Sequence, residues 1–294
     1  LSSLSALANH PKLKSLEVGE NKLKSLASLA SLDGLSRLRA AGNELTNPNL
    51  SGFPNLTWLK LDTNGIVDLT EIVPTIGSNL EHISLDNNPI PDLSPLTRFK
   101  FLRYIEAHDL RLDVLKLFDM PNLIDVSVYN NQITRVELED VPQLFNLNLN
   151  NNAMSDLVSL GEFMSAQPDQ NEWRFNVRLA GNKIRDIAPL APLQRLAYVE
   201  LQDNSIRDIS ALKAKADIYH LDLNRNDISI IGDTFDAYQN NANILLDGNT
   251  LLCSELANIE NSSANIRYSG DCGEDKDGDG IPDAKDAFAN DIAA

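Results

Sequence analysis

Residues 13–23 read Leu13-Lys14-Ser15-Leu16-Glu17-Val18-Gly19-Glu20-Asn21-Lys22-Leu23, a stretch in which apolar residues precede one asparagine at fixed spacings. The same frame returns along most of the chain, with steps of 21 to 24 residues and a single step of 30 residues. Eleven registers fit the frame, and a chance match over so many is not credible, so the chain is built from internal repeats. Leu110 stands at one of the asparagine positions. The asparagines are Asn21, Asn43, Asn64, Asn88, Asn131, Asn152, Asn182, Asn204, Asn226 and Asn249.

Each repeat contains a short segment that predicts a β-strand. Two apolar residues flank one polar residue in Leu59-Lys60-Leu61 and in Val126-Ser127-Val128, which is an alternation with period two. Strands stacked in parallel make a long sheet whose inner face is covered by the return segments, and each repeat then contacts its neighbours. The sequence therefore predicts an α/β solenoid over residues 1–252, a leucine-rich repeat horseshoe of about eleven repeats with a parallel concave sheet.

The asparagine follows each strand where the chain bends inward, and its amide can satisfy backbone groups of its own and of adjacent repeats. Leu110 cannot do this, so we expect a local break in the ladder, repaired by water or by a reshaped turn. In five repeats an aspartate then precedes an apolar residue, where it suits the cap of a short helical turn. We expect a convex side of 3₁₀ turns and loops, except near residues 161–172, where the long step leaves room for a helix or a bulge. The five aspartates are Asp68, Asp92, Asp156, Asp186 and Asp208.

This repeat resembles those of bacterial internalin-like leucine-rich repeat proteins, which carry the same Ile-x-Asp-[Ile/Leu] segment in units of about 22 residues. The resemblance covers roughly residues 4–252. It implies a surface that recognises another protein, often outside the cell, and a bacterial source. Because Leu1 already lies within patterned sequence, we interpret the chain as part of a longer protein.

After Leu252 the repeat pattern stops, and a solenoid needs its last apolar repeat covered. We predict that residues 253–272 form this cap and that Cys253 and Cys272, the two cysteines of the chain, form a disulfide. Free thiols or a metal pair are the alternatives, but no histidine accompanies the cysteines and their spacing is not that of a zinc site. A disulfide implies an oxidising compartment.

The last segment, residues 273–294, contains the acidic run Asp275-Lys276-Asp277-Gly278-Asp279-Gly280-Ile281-Pro282-Asp283-Ala284-Lys285-Asp286. Carboxylates at alternate positions suit Ca²⁺, with a sharp turn at Gly280 and a backbone carbonyl from Ile281. The run resembles a thrombospondin type 3 repeat, which implies a structural calcium ion and further copies after Ala294, as in extracellular stalks. A disordered acidic linker is the alternative. The predicted ligands are Asp275, Asp277, Asp279, Ile281, Asp283 and Asp286.

Outward-facing residues lie six, four and two positions before each asparagine and form three rows along the predicted sheet. These rows hold three of the four histidines, three of the six tyrosines and one of the two tryptophans. Such rings anchor interfaces at low entropic cost, although strands favour aromatic residues regardless of function. Because the rings cluster in repeats three to six, we predict a ligand-binding surface there. Its residues are Trp58, Lys60, Asp62, His82, Asp86, Tyr104, Glu106, His108 and Tyr129.

The charges favour a basic protein ligand. Asp62 beside Asp86 is a like-charge pair that destabilises the sheet unless something basic meets it. The formal net charge of −17 repels phosphate, so we expect no nucleic-acid partner. No window offers the roughly 18 uninterrupted apolar residues of a membrane helix, so we expect no membrane insertion of this fragment.

Catalysis is not expected. His108 near Asp86 would supply two members of a hydrolytic triad, but we expect no serine or cysteine beside them. No metalloprotease, hydrolase or nucleotide-binding motif occurs, and an open sheet excludes water poorly. His82, His108 and His220 leave pH-sensitive binding as a lesser hypothesis.

These observations together predict a secreted or cell-surface module for protein recognition or adhesion that binds its partner through the concave face. One alternative is a carbohydrate-binding module, with Trp58 and Tyr104 stacked on sugar rings. Another is a non-catalytic spacer of a larger secreted enzyme.

Overall fold

The structure is a computed structural model that describes residues 12–29, 32–167 and 174–286, together with Leu4, Leu7 and His10. The chain divides into two compact units, residues 1–149 (unit 1) and residues 150–294 (unit 2). Both units have the leucine-rich repeat fold, in which a short strand, a bend and a return segment recur. The predicted fold class is therefore confirmed.

The sheet of unit 1 is parallel and has one strand per repeat. The central residue of each strand is buried in the core, and the two flanking residues face the opposite side, which we call the open sheet face. Trp58 is in register with His82, and His82 with Tyr104, so the predicted rows are present. The strands of this sheet are β1 (Ser15–Glu17), β2 (Arg37–Arg39), β3 (Trp58–Lys60), β4 (His82–Ser84), β5 (Tyr104–Glu106), β7 (Asp125–Ser127) and β9 (Asn146–Asn148).

Some return segments of unit 1 differ from the prediction. β6 (Val114–Phe118) and β8 (Arg135–Glu139) form a separate parallel pair. The prediction of 3₁₀ turns and loops is wrong at these places, because Leu115 and Leu117 flank Lys116 at the period of a strand and are fully buried. The return segments with 3₁₀ helices are Ala27–Leu29, Val73–Thr75 and Ser94–Arg98.

Unit 2 repeats the same design and adds helices. Helix α1 (Val158–Ser165) lies in the long step, where a helix or a bulge was expected, but it begins three residues before the expected range of 161–172. Residues 168–173 of that step lie outside the described residues. Helix α2 (Leu256–Asn261) lies in the predicted cap. Within the described ranges, no helix combines the length and the apolarity that crossing a bilayer requires. The strands are β10 (Phe175–Arg178), β11 (Leu196–Glu200), β12 (His220–Asp222), β13 (Asn243–Leu245) and β14 (Asn265–Arg267), and the 3₁₀ helices are Ala188–Leu190, Ser210–Leu212 and Cys253–Glu255.

The asparagine ladder has the predicted chemistry. The side-chain amide of Asn64 donates to the carbonyls of Ala40, Leu61 and Asp62 at 2.9 to 3.1 Å. Its oxygen accepts the N–H of Leu45 at 3.0 Å. Asn64 therefore joins its own repeat to the one before it and provides partners for backbone groups of the bend.

The ladder is broken at Leu110, as predicted. In an intact repeat, the oxygen of Asn88 accepts the N–H of Ile66, two residues after the preceding ladder asparagine, at 3.1 Å. Leu110 offers no such oxygen to Ile90, and the N–H of Ile90 donates instead to the carbonyl of Asn88 at 2.9 Å. The repair is thus a reshaped turn.

The aspartates after the asparagines cap the return segments. The carboxylate of Asp92 accepts the N–H of Ser94 at 2.8 Å, at the first residue of a 3₁₀ helix. The same bond joins Asp156 to the first residue of α1 at 3.1 Å. Equivalent bonds are made by Asp68, Asp186 and Asp208.

The end of unit 2 is closed by covalent and polar contacts. A disulfide joins Cys253 to Cys272, as predicted. The carboxylate of Glu255, which is only 9% exposed, accepts the N–H groups of Ile231 and Gly232 at 3.1 and 2.8 Å. Nothing in the spacing of Glu255 along the sequence marks it as a backbone acceptor.

Candidate recognition surface

The first row of unit 1 is a stack of rings on neighbouring strands. The rings of Trp58 and His82 lie parallel with their centroids 4.9 Å apart, and Tyr104 follows at 6.1 Å from His82. The guanidinium of Arg39, on β2, lies 4.8 Å from the centroid of Trp58. Since β3 lies between β2 and β4, both faces of Trp58 are covered by its own chain.

A second pair of rings stands in the third row. His108 and Tyr129 are stacked at 4.4 Å between centroids. Because these residues follow β5 and β7 by two positions, the pair lies on the other side of the middle row from Tyr104. The ring surface of unit 1 therefore consists of two ring groups with the middle row between them.

The middle row carries charge. The ammonium of Lys60 lies 2.6 Å from Asp62 and 3.6 Å from Glu106. Burial opposes the charge on Lys60, but the hydrogen bond to Asp62 and the charges of Asp62 and Glu106 outweigh it, so the pKa of Lys60 is raised. Burial lowers the pKa of His82 and favours its neutral form, although Glu106 lies 3.7 Å from its Nε2.

Asp62 and Asp86 are neighbours, and their repulsion is relieved within the chain. The hydroxyl of Ser84 donates to Asp62 at 2.5 Å and lies 3.5 Å from Asp86. Lys60 neutralises Asp62, and the Nε2 of His108 lies 2.7 Å from Asp86. The two carboxylates are only 7% and 5% exposed, so neither needs a basic ligand to stabilise it.

The expectation that no serine stands beside the His108–Asp86 pair is wrong. Ser84 is adjacent, but it is fully buried and its hydroxyl is bonded to carboxylates rather than to an imidazole. His108 Nδ1 lies 2.7 Å from Asp109. Burial raises the pKa of Asp86, and the bond from the His108 N–H opposes that rise. These contacts do not form a nucleophile–base pair.

A cavity of about 460 Å³ opens on this surface. Seven of the nine predicted residues line it. The other two, Trp58 and Asp62, are not part of the lining but contact His82 and Lys60, which are. Asp125 and Ser127 also line the cavity and were not predicted, although they occupy the same rows on the next strand, β7. The predicted residues that line the cavity are Lys60, His82, Asp86, Tyr104, Glu106, His108 and Tyr129.

Unit 2 carries a related set of rings, the ring surface of unit 2. The guanidinium of Arg178 lies 4.9 Å from the centroid of Tyr198, and the ring of Tyr198 stacks on His220 at 4.4 Å. Glu200 accepts a hydrogen bond from the Tyr198 hydroxyl at 2.9 Å and lies 3.6 Å from Arg178. Asp222 is half-buried on the next strand, and burial raises its pKa.

The acidic loop brings three of its predicted ligands together. Carboxylate oxygens of Asp275, Asp277 and Asp279 lie within 4.8 Å of one another, and this is the group in the described residues that could hold a cation. Gly280 has a φ of 86°, so the loop turns there as predicted, and its N–H donates to Asp275 at 3.0 Å.

The remaining predicted ligands stand differently. The carboxylate of Asp283 is paired with the ammonium of Lys276 at 2.8 Å. Ile281 donates its N–H to Asp279 at 2.8 Å, and Asp286 lies outside the group of three. Desolvation and the neighbouring carboxylates raise the pKa of Asp277.

The comparisons with known proteins agree with the fold. No family model matches the chain. The chain is 27% identical over 200 residues to leucine-rich repeat-containing protein 23 of Bos taurus, a match that covers 67% of this chain and 55% of that protein. The chain thus spans about half the length of this curated relative.

Two solved structures show the same fold. An internalin (InlF) from Listeria monocytogenes has a TM-score of 0.61 and 21% identity, over 88% of this chain and 83% of that one. A chain in the octameric complex of Latrophilin 3, Unc5D and FLRT2 has a TM-score of 0.70 and 17% identity, over 95% and 90% of the two chains. The chain thus has the leucine-rich repeat fold that these structures share.

Proposed function

We propose that this chain recognises a protein partner through the ring surface of unit 1, and that the partner presents a basic patch there. The observation that carries the proposal is the cavity between the two ring groups, lined by the carboxylates of Asp86, Glu106 and Asp125 and by Lys60 as the one fixed cation in the described lining. Large rings beside a charged depression are the usual anchors of a protein interface.

Carbohydrate binding is the weaker candidate. A sugar stacks on a free aromatic face, but Trp58 has Arg39 on one face and His82 on the other. One face of Tyr129 is stacked on His108. A ring with both faces covered, such as that of Trp58, offers its edge and its polar tip, which suit the side chains of a protein better than the flat face of a sugar ring.

We also propose that the protein is secreted or held at a cell surface. The disulfide between Cys253 and Cys272 supports an oxidising compartment. The protein FLRT2 and its partners give a precedent, since its leucine-rich repeats take part in a complex of several proteins. A bacterial source and a spacer role in a larger secreted enzyme stay predictions of the sequence.

The calcium-binding role of residues 275–286 is a further part of the proposal. Asp275, Asp277 and Asp279 would hold the ion, with Asp283 joining them only if its pair with Lys276 opens. Calorimetric titration with Ca²⁺ tests this. Asp275→Asn with Asp279→Asn should abolish the heat signal, whereas Asp271→Asn, outside the loop, should leave it unchanged. A signal that survives the double variant would disprove the site.

The experiment for the recognition role is a binding screen against an array of extracellular protein domains, with a glycan array in parallel. A protein partner that binds through unit 1 should lose at least a hundredfold in affinity with Trp58→Ala and Tyr104→Ala together. The matched variant Tyr198→Ala with His220→Ala, in unit 2, should change affinity less than threefold. Equal losses in the two variants, or a glycan signal that persists in high salt, would overturn the proposal.

A further inference from the structure

The two units contain the same pair of residues on one strand, and its surroundings differ. Tyr198 and Glu200 lie on β11, and Tyr104 and Glu106 lie two positions apart in the same rows on β5. In unit 2 the residue in register with Glu200 is Arg178. Its guanidinium lies over the Tyr198 ring at 4.9 Å and beside Glu200 at 3.6 Å.

In unit 1 the residue in register with Glu106 is Ser84, whose small side chain is fully buried. Within the described residues, this register position therefore carries no guanidinium that reaches Glu106. The guanidinium of Arg103 approaches the Tyr104 ring, at 5.5 Å from its centroid, from the residue before Tyr104 in the sequence. The cavity of about 460 Å³ opens beside it instead, lined by Tyr104 and Glu106. The exposed fraction of the Glu106 side chain is 42%, against 16% for Glu200.

We propose that this cavity accepts a single arginine side chain of the partner protein, in the role that Arg178 performs within unit 2. The inference rests on the proposed function and gives it a ligand class. A guanidinium that enters between Tyr104 and Tyr129 would meet the carboxylate of Glu106, with Asp125 on the neighbouring strand. It is planar, so it stacks on rings and binds a carboxylate with two N–H groups at once.

The charge of the cavity selects a cation. Its lining contains three carboxylates (Asp86, Glu106 and Asp125) against the ammonium of Lys60. Asp86 already has His108 at 2.7 Å, so Glu106, with Asp125 on the neighbouring strand, is the carboxylate that a cation would meet, and burial favours the neutral form of His82. Lys60 itself lies 2.6 Å from Asp62 and 3.6 Å from Glu106, so Glu106 is the carboxylate that it holds less closely. A cationic ligand would therefore compete with Lys60 for Glu106.

Arginine fits the cavity better than lysine, because the chain already places its own arginines over aromatic rings. Arg39 lies 4.8 Å from the ring centroid of Trp58, and Arg178 lies 4.9 Å from that of Tyr198. Both units thus already use a guanidinium over a ring on the open sheet face. A lysine ammonium is more strongly hydrated and, having no planar group, cannot stack on a ring face as a guanidinium does.

The test uses the whole chain and three small probes: acetyl-arginine amide, acetyl-lysine amide and the neutral isostere acetyl-citrulline amide. Nuclear magnetic resonance of the histidine rings at neutral pH reports on both units, because His82 and His108 line the cavity while His220 lies in unit 2. We expect the arginine probe to shift His82 and His108 but not His220. We expect the lysine probe to bind at least threefold, and the citrulline probe at least tenfold, more weakly.

Two variants should change binding of the arginine probe in opposite directions, one by weakening it in unit 1 and the other by creating it in unit 2, and a third serves as a control. Glu106→Gln should weaken the arginine probe at least tenfold, whereas Glu200→Gln should have no effect on the shifts of His82 and His108. Arg178→Ser should expose the pair of Tyr198 and Glu200, so that the arginine probe now shifts His220 as well. Thermal unfolding checks that each variant is folded.

Equal binding of arginine and citrulline probes, or unchanged binding in Glu106→Gln, would overturn the inference. So would an unaltered His220 signal in a folded Arg178→Ser chain. A partner that depends on Trp58 and Tyr104 while the arginine probe fails would leave the proposed function standing and remove this inference alone. An arginine probe that binds while no partner depends on those rings would remove the proposed function alone.

Discussion

Unit 1 and unit 2 both place tyrosine, histidine and glutamate on the open sheet face, yet they use their charges differently. In unit 2, Glu200 is held by Arg178 at 3.6 Å, by the Tyr198 hydroxyl at 2.9 Å and by the amide of Asn150 at 2.9 Å. In unit 1, Glu106 has Lys60 at 3.6 Å and His82 at 3.7 Å, and it lines a cavity.

The difference teaches that the register partner of a glutamate helps to decide how far its side chain is exposed, which is 42% for Glu106 and 16% for Glu200. Ser84 and Arg178 occupy the same place relative to a Tyr-x-Glu pair. The long side chain saturates the glutamate from within, and the short one leaves it accessible.

The largest difference expected between the units concerns the disulfide, since both cysteines belong to unit 2. Replacing Cys253 and Cys272 by alanine releases a loop with a sequence separation of 19 residues and should destabilise unit 2 by about 3 kcal/mol. Hydrogen exchange should show faster opening of β12 to β14 and unchanged protection of β2 to β4. Dithiothreitol should reproduce the effect on the natural chain and add nothing in the variant.

An equal loss of protection in β2 to β4 would contradict the comparison, because the two units would then unfold together. Their surfaces could in that case not be treated as separately stabilised.

A smaller effect is expected from the asparagine ladder. Asn226 is 5% exposed, donates to the carbonyls of Leu201 and Leu223 at 3.0 and 3.1 Å, and accepts the N–H of Ile206 at 3.0 Å. Asn226→Leu should cost about 2 kcal/mol, because buried backbone groups lose their partners. Urea unfolding measures this cost, and the exposed Asn240→Leu serves as the control.

The same measurement also bears on unit 1, because Leu110 is a natural leucine at a ladder position. There, Ile90 has found another acceptor, the carbonyl of Asn88. If Asn226→Leu costs as little as Asn240→Leu, turns can be reshaped anywhere in the ladder, and the break at Leu110 is no special feature of unit 1.

The sequence was sufficient for the fold and for the rows. The spacing from each asparagine places Trp58, His82 and Tyr104 in one register, and the strand pairing has them there. Period-two alternation is fixed by backbone geometry, so it can be counted without coordinates. The same rule places Asp125 and Ser127 in those rows on β7, beside the predicted binding surface.

The sequence alone does not indicate which charged side chains are already paired within the chain. Whether Ser84 turns its hydroxyl to Asp62 depends on rotamers and burial, which a pattern does not encode. Asn150 reaches Glu200 across 50 residues of sequence, which no local motif indicates. The strands β6 and β8 escape prediction for another reason, because short return segments of similar length take different conformations in this chain.

The smallest effect concerns the buried carboxylates. Burial raises the pKa of Asp86 in unit 1 and of Asp222 in unit 2. Asp86 has the Nε2 of His108 at 2.7 Å, whereas within the described ranges Asp222 forms no ion pair, and its oxygen accepts the N–H of Asn224 at 3.0 Å. A carboxyl with a raised pKa holds its proton more tightly in the folded chain than in the unfolded one. The free energy of unfolding therefore falls as the pH rises from the usual value near 3.8 through the raised pKa.

Asp222→Asn removes that fall. The variant should be more stable than the natural chain at neutral pH, by roughly 0.5 kcal/mol because solvent screens the half-buried group, and should show no gain below pH ~4. Asp86→Asn should bring no gain at neutral pH, since it loses the charge that His108 meets. Urea unfolding at a series of pH values measures both variants. A gain from both would mean that His108 does not compensate Asp86, and that the acids of the two units differ less than their partners suggest.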